Sequence, residues 1–264
     1  YDPINYIIAL KAKRMRPTLV LLAHQLFNKD FNNAIYPALA IEIFHNFTLL
    51  HDDIMDNAPL RRGVPTVHEK WDKNTAILAG DTMLIHAYKI ISRANNSILK
   101  NVLDVFSQAA KEVCEGQQKD MEFEGDYAVT LQEYMKMIEN KTAVLLAASL
   151  KIGGITAGAS LENQDHLYEF GRNIGIAFQL KDDLLDTFGT PKNFGKKVGG
   201  DIIANKKTFL YLKTLQLAEA KDRHKLKLYY QDNFSEQDKV ENVKLIFEKY
   251  QVSKHTTDMM KVYY

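Results

Sequence analysis

An all-α fold is what this sequence predicts, and three observations predict it. Five of the six prolines lie at or before Pro65 and the last is Pro191, so nothing between Thr66 and Thr190 forbids helix on that ground. Apolar residues recur at helical spacing: Val102, Val105, Phe106, Ala109 and Val113 form one stripe, and Tyr134, Met137, Ile138, Val144, Leu145 and Ala148 another. Alternation over strand lengths is rare.

Taken in order, the first helix is expected from Pro17 to Phe27, with polar 28–33 as a connection. A second runs from Ile35 to Asp56 and ends at Asn57-Ala58-Pro59, because the residue before proline is biased away from helix. Residues 61–65 read as a loop. Helices follow over 75–93, 99–124, 131–150 and 161–186, then 207–231 and 235–250. Gly153, Gly154 and Gly158 are expected to loosen the chain, and Gly189, Gly195, Gly199 and Gly200 with Pro191 to form a flexible basic loop. With no low-complexity linker or short repeat, residues 1–264 read as one large helical domain.

Hydrophobic residues make up 46% and charged residues 25% of the 264, ordinary for a soluble globular chain. A net charge of +1 gives no footprint for nucleic acid or an acidic membrane. The longest apolar run, near 143–150, is too short to span a bilayer. No signal peptide is visible after the opening Tyr1-Asp2-Pro3. Cys114 is the single cysteine, which indicates a reducing compartment, expected to be the cytoplasm, and plain core for the residue itself.

Two stretches carry chemistry. In 45–63, HNFTLLHDDIMDNAPLRRG, the carboxylates Asp52, Asp53 and Asp56 follow an apolar run and precede Arg61 and Arg62. On a helix Asp52 and Asp56 share a face and repel. Carboxylate oxygens suit Mg²⁺, and guanidinium forks suit phosphate. Alone, the stretch reads equally as a solvated acidic turn beside basic surface. Asp182-Asp183-Leu184-Leu185-Asp186 repeats the spacing. If the two helices face each other, six carboxylates converge, which like-charge repulsion forbids without cations. Lys13, Arg14, Arg16, Lys141, Lys196, Lys197, Lys206 and Lys207 would supply counter-charge for two diphosphates.

These motifs resemble those of the trans-isoprenyl diphosphate synthases, the polyprenyl synthetase family, from about Ile4 to Lys213. HDDIMDNAPLRRG and AFQLKDDLLD look like its two aspartate-rich motifs. KRMRP, KTA, FGKKVGGD and NKKT fall in the expected order around them. The family usually has Gly-Gly before the lysine of KRMRP, where Lys11-Ala12 stands here.

The resemblance implies an antiparallel helical bundle around a central cavity, usually a homodimer, working with two or three Mg²⁺. Its reaction joins isopentenyl diphosphate to an allylic prenyl diphosphate. By the same resemblance Asp52, Asp56 and Asp182 are direct metal ligands, and Asp53, Asp183 and Asp186 orient metal-bound water. Lys13, Arg16, His45 and Arg62 hold isopentenyl diphosphate. Arg61, Lys141, Lys196 and Lys206 hold the allylic diphosphate, and Thr142 and Gln179 lie beside the reacting carbons. Phe47, five residues before Asp52, is the family's chain-length position, with small Thr48 next to it. One aromatic there favours a C15 to C20 product, with a slight lean to C20.

His45, seven residues before Asp52, faces roughly the same way. His51 braces the aspartates on this reading, and His68 has no assigned role. Three rival classes stand beside the synthase. A His-Asp phosphohydrolase would use His51-Asp52 and leave the second motif unexplained. A class I terpene cyclase would need no isopentenyl pocket. A non-catalytic subunit often lacks one acidic motif.

Overall fold

The computed structural model describes residues 1–189, 198–231 and 234–264. Helix dominates it, and among the described residues the only sheet pairs Leu60–Arg61 with Val64–Pro65. By its internal packing the chain divides into two units. One comprises Tyr1–Lys111 with Leu145–Gly171, the other Glu112–Val144 with Arg172–Tyr264.

The first unit is built on helix Asn32–Met55, which packs mainly on Lys73–Ile91 and Met15–Gln25. Its buried face carries Ile41, Phe44, Phe47 and Leu50. Phe44 meets Phe106 edge-on at 5.3 Å between ring centroids. Burying each such ring stabilises the unit by about 2 kcal/mol. His24 ties the layers with polar contacts, its Nδ1 2.9 Å from Thr156 Oγ1 and its Nε2 2.7 Å from the Asp30 carbonyl.

The second unit has a core of Tyr134, Ile138, Ile176, Leu180, Phe209, Leu210, Tyr211, Leu226, Tyr230, Val243 and Phe247. A capping box starts helix Leu131–Ile138, where Thr130 and Glu133 exchange side-chain and backbone bonds. Ser235 caps Glu236–Lys249.

Several expectations are corrected. A helix at Asp2–Ala9 precedes the first one expected, because Pro3 sits in its opening turn, where a missing N–H does no harm. The next helix begins at Met15, before Pro17. Residues 60–65 form a minimal hairpin, with Arg62 and Gly63 both at positive φ, 56° and 81°. That is the pattern of a tight turn matched to strand twist. The helix expected over 207–231 breaks at Ala218, whose carbonyl accepts from Arg223, while Tyr250 Oη accepts the Glu219 N–H. Side chains from elsewhere thus satisfy the backbone groups freed by the break. A final helix, Val252–Val262, buries Val252, Thr256 and Met260, a four-residue stripe masked by polar composition. Cys114 is exposed rather than core.

Gly153 and Gly154 do not loosen the chain; helix Val144–Thr156 runs through them. A Cβ on Gly153 would overlap the Val20 carbonyl oxygen and crowd Ala23 Cβ at 2.7 Å, so this glycine admits the backbone of Met15–Gln25. Gly153→Ala is expected to destabilise the protein by about 1–3 kcal/mol, as overpacking does, read as a lower denaturant midpoint.

Candidate functional site

Helix Asn32–Met55 delivers its acids at its C-terminal end, where the helix dipole already concentrates negative charge. Asp52 is half-buried, Asp56 is exposed at the cap, and Asp53 is only 2% exposed. The hairpin brings Arg61 to meet them. Its Nε donates to Asp53 Oδ1 at 2.9 Å, its Nη2 to the same oxygen at 2.6 Å, and Nη2 lies 3.4 Å from Asp52 Oδ2. Burial would lower the Arg61 pKa, but its bonds to Asp53 and the charges of Asp53 and Asp52 raise it, so it stays a cation.

A basic pocket lies in the same unit. Arg16 comes from helix Met15–Gln25, His45 from Asn32–Met55 and Arg62 from the hairpin turn. Arg16 Nη1 is 2.9 Å from His45 Nε2. Burial lowers the guanidinium of Arg16 to about 10. Its Nε is buried with no hydrogen-bond partner among the described residues. Burial, then the charges of Arg16, Arg62, Arg61 and Arg14, hold His45 well below its usual range. It is therefore neutral, and the nitrogen facing Arg16 is its acceptor. Arg14, counted in the sequence among the counter-charges but given no pocket, pairs with Glu42 and donates to the Leu10 carbonyl at 3.2 Å, beside an Arg62 bond to the same carbonyl at 3.4 Å. Lys13 is exposed just before it.

In the second unit a single turn of π-helix, Glu139–Ala143, presents Lys141 and Thr142. Such turns are frequent at functional sites. Gly116 makes room for this one: a Cβ there would overlap the Lys141 nitrogen. Lys141 Nζ donates to Asp120 Oδ2 at 2.6 Å, and Lys206 Nζ lies 3.6 Å from the same oxygen. Burial would raise the Asp120 carboxyl, but the two ammonium groups outweigh it and hold the group below its usual range.

A relay then fixes the second acidic motif near the C-terminal end of helix Leu161–Phe188. Thr142 Oγ1 donates to Gln179 Oε1 at 2.9 Å, and Gln179 Nε2 donates to Asp183 Oδ1 at 3.0 Å. Buried Asp183 also accepts from the Tyr134 hydroxyl and the Phe209 N–H. Asp182 is half-buried beside it. Asp186 Oδ1 accepts the Asp201 N–H at 2.9 Å. Burial, aided by the neighbouring acids, pushes Asp183 up to about 7 and Asp201 up to about 8. All the side-chain donors of this cluster are oxygens, the type that Mg²⁺ takes, and among the described residues no three His, Cys, Asp or Glu side chains stand close enough to hold an ion by themselves.

Lys196 and Lys197 lie outside the described residues. Phe47 is buried against Phe44 and His51, and the Thr48 hydroxyl bonds the His45 carbonyl. The expectation for His51 is corrected: its Nε2 contacts the Ile77 carbonyl at 3.3 Å and approaches Asp81 at 3.8 Å, both on the next helix. His68 is buried, with neither ring nitrogen hydrogen-bonded among the described residues. Sequence reasoning gave no site role to Asp120, Tyr134 or Asp201, although Asp201 closes the string FGKKVGGD. Gly116, inside a 30-residue helix and four positions before Asp120, was the one local signal for the first.

The polyprenyl synthetase family model matches residues 1–247, beyond the span of the motifs. The chain belongs to the polyprenyl synthetase family. Its enzyme class is that of the prenyltransferases, which sets the phosphohydrolase and cyclase readings aside. This synthetase chain is 42% identical over 218 residues to the geranylgeranyl diphosphate synthase of Methanosarcina mazei, covering 82% of this chain and 67% of the relative. It is 40% identical over 248 residues to a short chain isoprenyl diphosphate synthase of Methanocaldococcus jannaschii, covering 93% and 76%. Its fold is that of a geranylgeranyl pyrophosphate synthase crystal structure at TM-score 0.95 and 46% identity, covering all of this chain and 82% of the other. A geranylgeranyl pyrophosphate synthetase from Pyrococcus horikoshii Ot3 gives 0.94 at 39% identity, covering 100% and 80%.

For the synthetase, the shared Asp120 yields a test. Asp120→Asn unties Lys141 and Lys206, and prenyl transfer is expected to fall at least about tenfold, the loss of one charge-assisted contact, with unchanged circular dichroism. Turnover equal to the parent enzyme would show that the two lysines need no shared anchor.

Proposed function

We propose that this protein condenses isopentenyl diphosphate with an allylic prenyl diphosphate, head to tail, to give a C15 to C20 all-trans prenyl diphosphate, with C20 favoured. The observation that carries this is Arg16, a half-buried side chain whose buried Nε has no hydrogen-bond partner among the described residues, beside neutral His45 and Arg62. That is an anion receptor separate from the lysines of the second unit, as two diphosphate substrates require. The names of the relatives support the product class. The two units are read as halves of one synthase domain, since the family model runs across both.

Arg16, Arg62 and Lys13 bind the isopentenyl diphosphate, with His45 orienting Arg16. Arg61, Lys141, Lys206 and Lys196 bind the allylic diphosphate and place fixed positive charge where the leaving group gains negative charge. Asp52, Asp56 and Asp182 would hold two or three Mg²⁺, with Asp53, Asp183 and Asp186 behind them. Bound magnesium supplies Lewis acidity to the leaving diphosphate. The allylic C–O bond breaks to an allylic cation and a diphosphate. The oxygens of Thr142 and Gln179, oriented by the relay to Asp183, stabilise the cation. The isopentenyl double bond attacks it, a new C–C bond forms, and a proton leaves to the departing diphosphate. Apolar walls exclude the water that would capture the cation.

A homodimer belongs to the proposal. Leu78 and Ile85, seven residues apart on helix Lys73–Ile91, are 66% and 61% exposed in the single chain, an apolar stripe that a second copy would cover. Among the described residues no helix is long and apolar enough to cross a membrane. A cytoplasmic setting fits the single thiol.

Mass spectrometry of products from C5, C10 and C15 primers with isopentenyl diphosphate tests the reading. A longer prenyl diphosphate is expected, abolished by chelation of Mg²⁺ and by Asp52→Ala or Asp182→Ala. Release of inorganic phosphate without a longer product, or normal turnover in either variant, would count against it. Phe47 lies about 7.5 Å along the helix axis from Asp52. Phe47→Ala is expected to lengthen the product, and an unchanged product spectrum would remove Phe47 as the floor.

A further inference from the structure

Lys206 stands directly after a tight helix ending. Helix Gly200–Ile203 closes with the Asn205 N–H on the Ile202 carbonyl at 3.2 Å and the Lys206 N–H on the Asp201 carbonyl at 2.9 Å. Asn205 lies between them at φ 59°. This is the Schellman arrangement, in which the residue after the cap takes the left-handed conformation and is usually glycine. Asparagine takes that conformation less readily than glycine, and the direction in which Lys206 leaves the turn depends on it.

The support comes from the other end of the unit. Lys239, on helix Glu236–Lys249, is 6% exposed. Its Nζ donates to Asn205 Oδ1 at 2.5 Å and to the Ile203 carbonyl at 3.3 Å, and it lies over the Tyr230 ring at 5.3 Å. Buried Lys207 holds the opposite side of the turn, donating to the Asn205 carbonyl at 3.0 Å and the Glu124 carbonyl at 2.9 Å. Two buried ammonium groups therefore take three backbone carbonyls and one side-chain amide. Lys206, which follows Asn205 directly in sequence, points its Nζ to within 3.6 Å of Asp120 Oδ2. Burying a lysine is unfavourable unless its donors are used, and Lys239 uses them on the residue that turns the chain toward the site.

We propose that Lys239 is a positioning residue for Lys206: it locks Asn205 in the left-handed turn that aims Lys206 into the diphosphate site. The role of Lys206 rests on the function proposed above; the lock itself rests on the geometry of the turn. Lys239 lies beyond the ordered motifs, which end near Lys213.

The test compares Lys239→Met, Asn205→Gly, Asn205→Ala, the double variant Lys239→Met/Asn205→Gly, and Lys206→Ala. Affinity for inorganic pyrophosphate with Mg²⁺ is read by calorimetry, and the part lost in Lys206→Ala defines the contribution of Lys206. KM values for both substrates are read alongside. Lys239→Met is expected to weaken that contribution and raise the allylic KM about tenfold, the loss of a charged hydrogen bond, while the isopentenyl KM stays within about twofold. Glycine takes the left-handed turn unaided, so Asn205→Gly stays within about threefold of the parent and makes Lys239→Met nearly harmless. Equal rises in both KM values, no change in Lys239→Met, or the same loss with and without Asn205→Gly would overturn the lock. If Lys239→Met does not fold, Lys239→Gln takes its place, alone and with Asn205→Gly, with the same expected and overturning results; Asn205→Ala, strained at positive φ, is expected to lose pyrophosphate affinity, and behaviour equal to that of Asn205→Gly overturns the proposal. Failure of the parent enzyme to make a longer prenyl product, with this ordering of pyrophosphate affinities intact, would strike the proposed function and leave the lock standing.

Discussion

Placing carboxylates at the C-terminal ends of helices is the constraint on which this structure depends. Asp52, Asp53 and Asp56 end one long helix, and Asp182, Asp183 and Asp186 lie near the end of another. Both positions set negative charge against the negative pole of a helix dipole. Like charges gathered in this way repel one another and call for donors or positive charge around them. Part of the answer is protein: Arg61 lies across Asp53, and Tyr134, Gln179 and the Phe209 N–H converge on Asp183. Burial first, then the neighbouring acids, still hold the Asp183 and Asp201 carboxyls above their usual range.

The basic side chains answer the same constraint from a distance. They are not scattered surface charge. Lys141 and Lys206 share Asp120, Arg14 is tied to Glu42, and half-buried Arg16 lies against a neutral histidine. Each is oriented by a partner whose own place is fixed by a helix. For the diphosphate binding proposed above, donors already set in direction would reduce the ordering that binding otherwise requires.

Much of this was legible in the sequence. The all-helical class followed from proline spacing and apolar periodicity, and the two aspartate-rich motifs with their arginines and lysines were visible as strings. What the strings could not show was partnership. Tyr134 and Asp183 are far apart in the chain, as are Asp120 and Lys206, and no local pattern links them. Helix ends were misjudged for the same reason: the break at Ala218 is held open by Arg223 and Tyr250, and Pro3 starts a helix rather than stopping one. His51 looked like part of the acidic motif because of its neighbours in sequence, yet its side chain serves the adjoining helix.

The π-turn at Glu139–Ala143 carries one consequence of its own. Such a turn is the mark of one residue more than an α-helix accommodates, and each residue of an α-helix turns its successors by about 100°. Val144–Thr156, buried along most of its length, has its orientation fixed by packing on all sides. The surplus residue is therefore confined to the segment that bears Lys141 and Thr142. Removing the surplus residue would restore a regular helix and redirect the side chains that remain between 139 and 143, while the buried residues beyond kept their places.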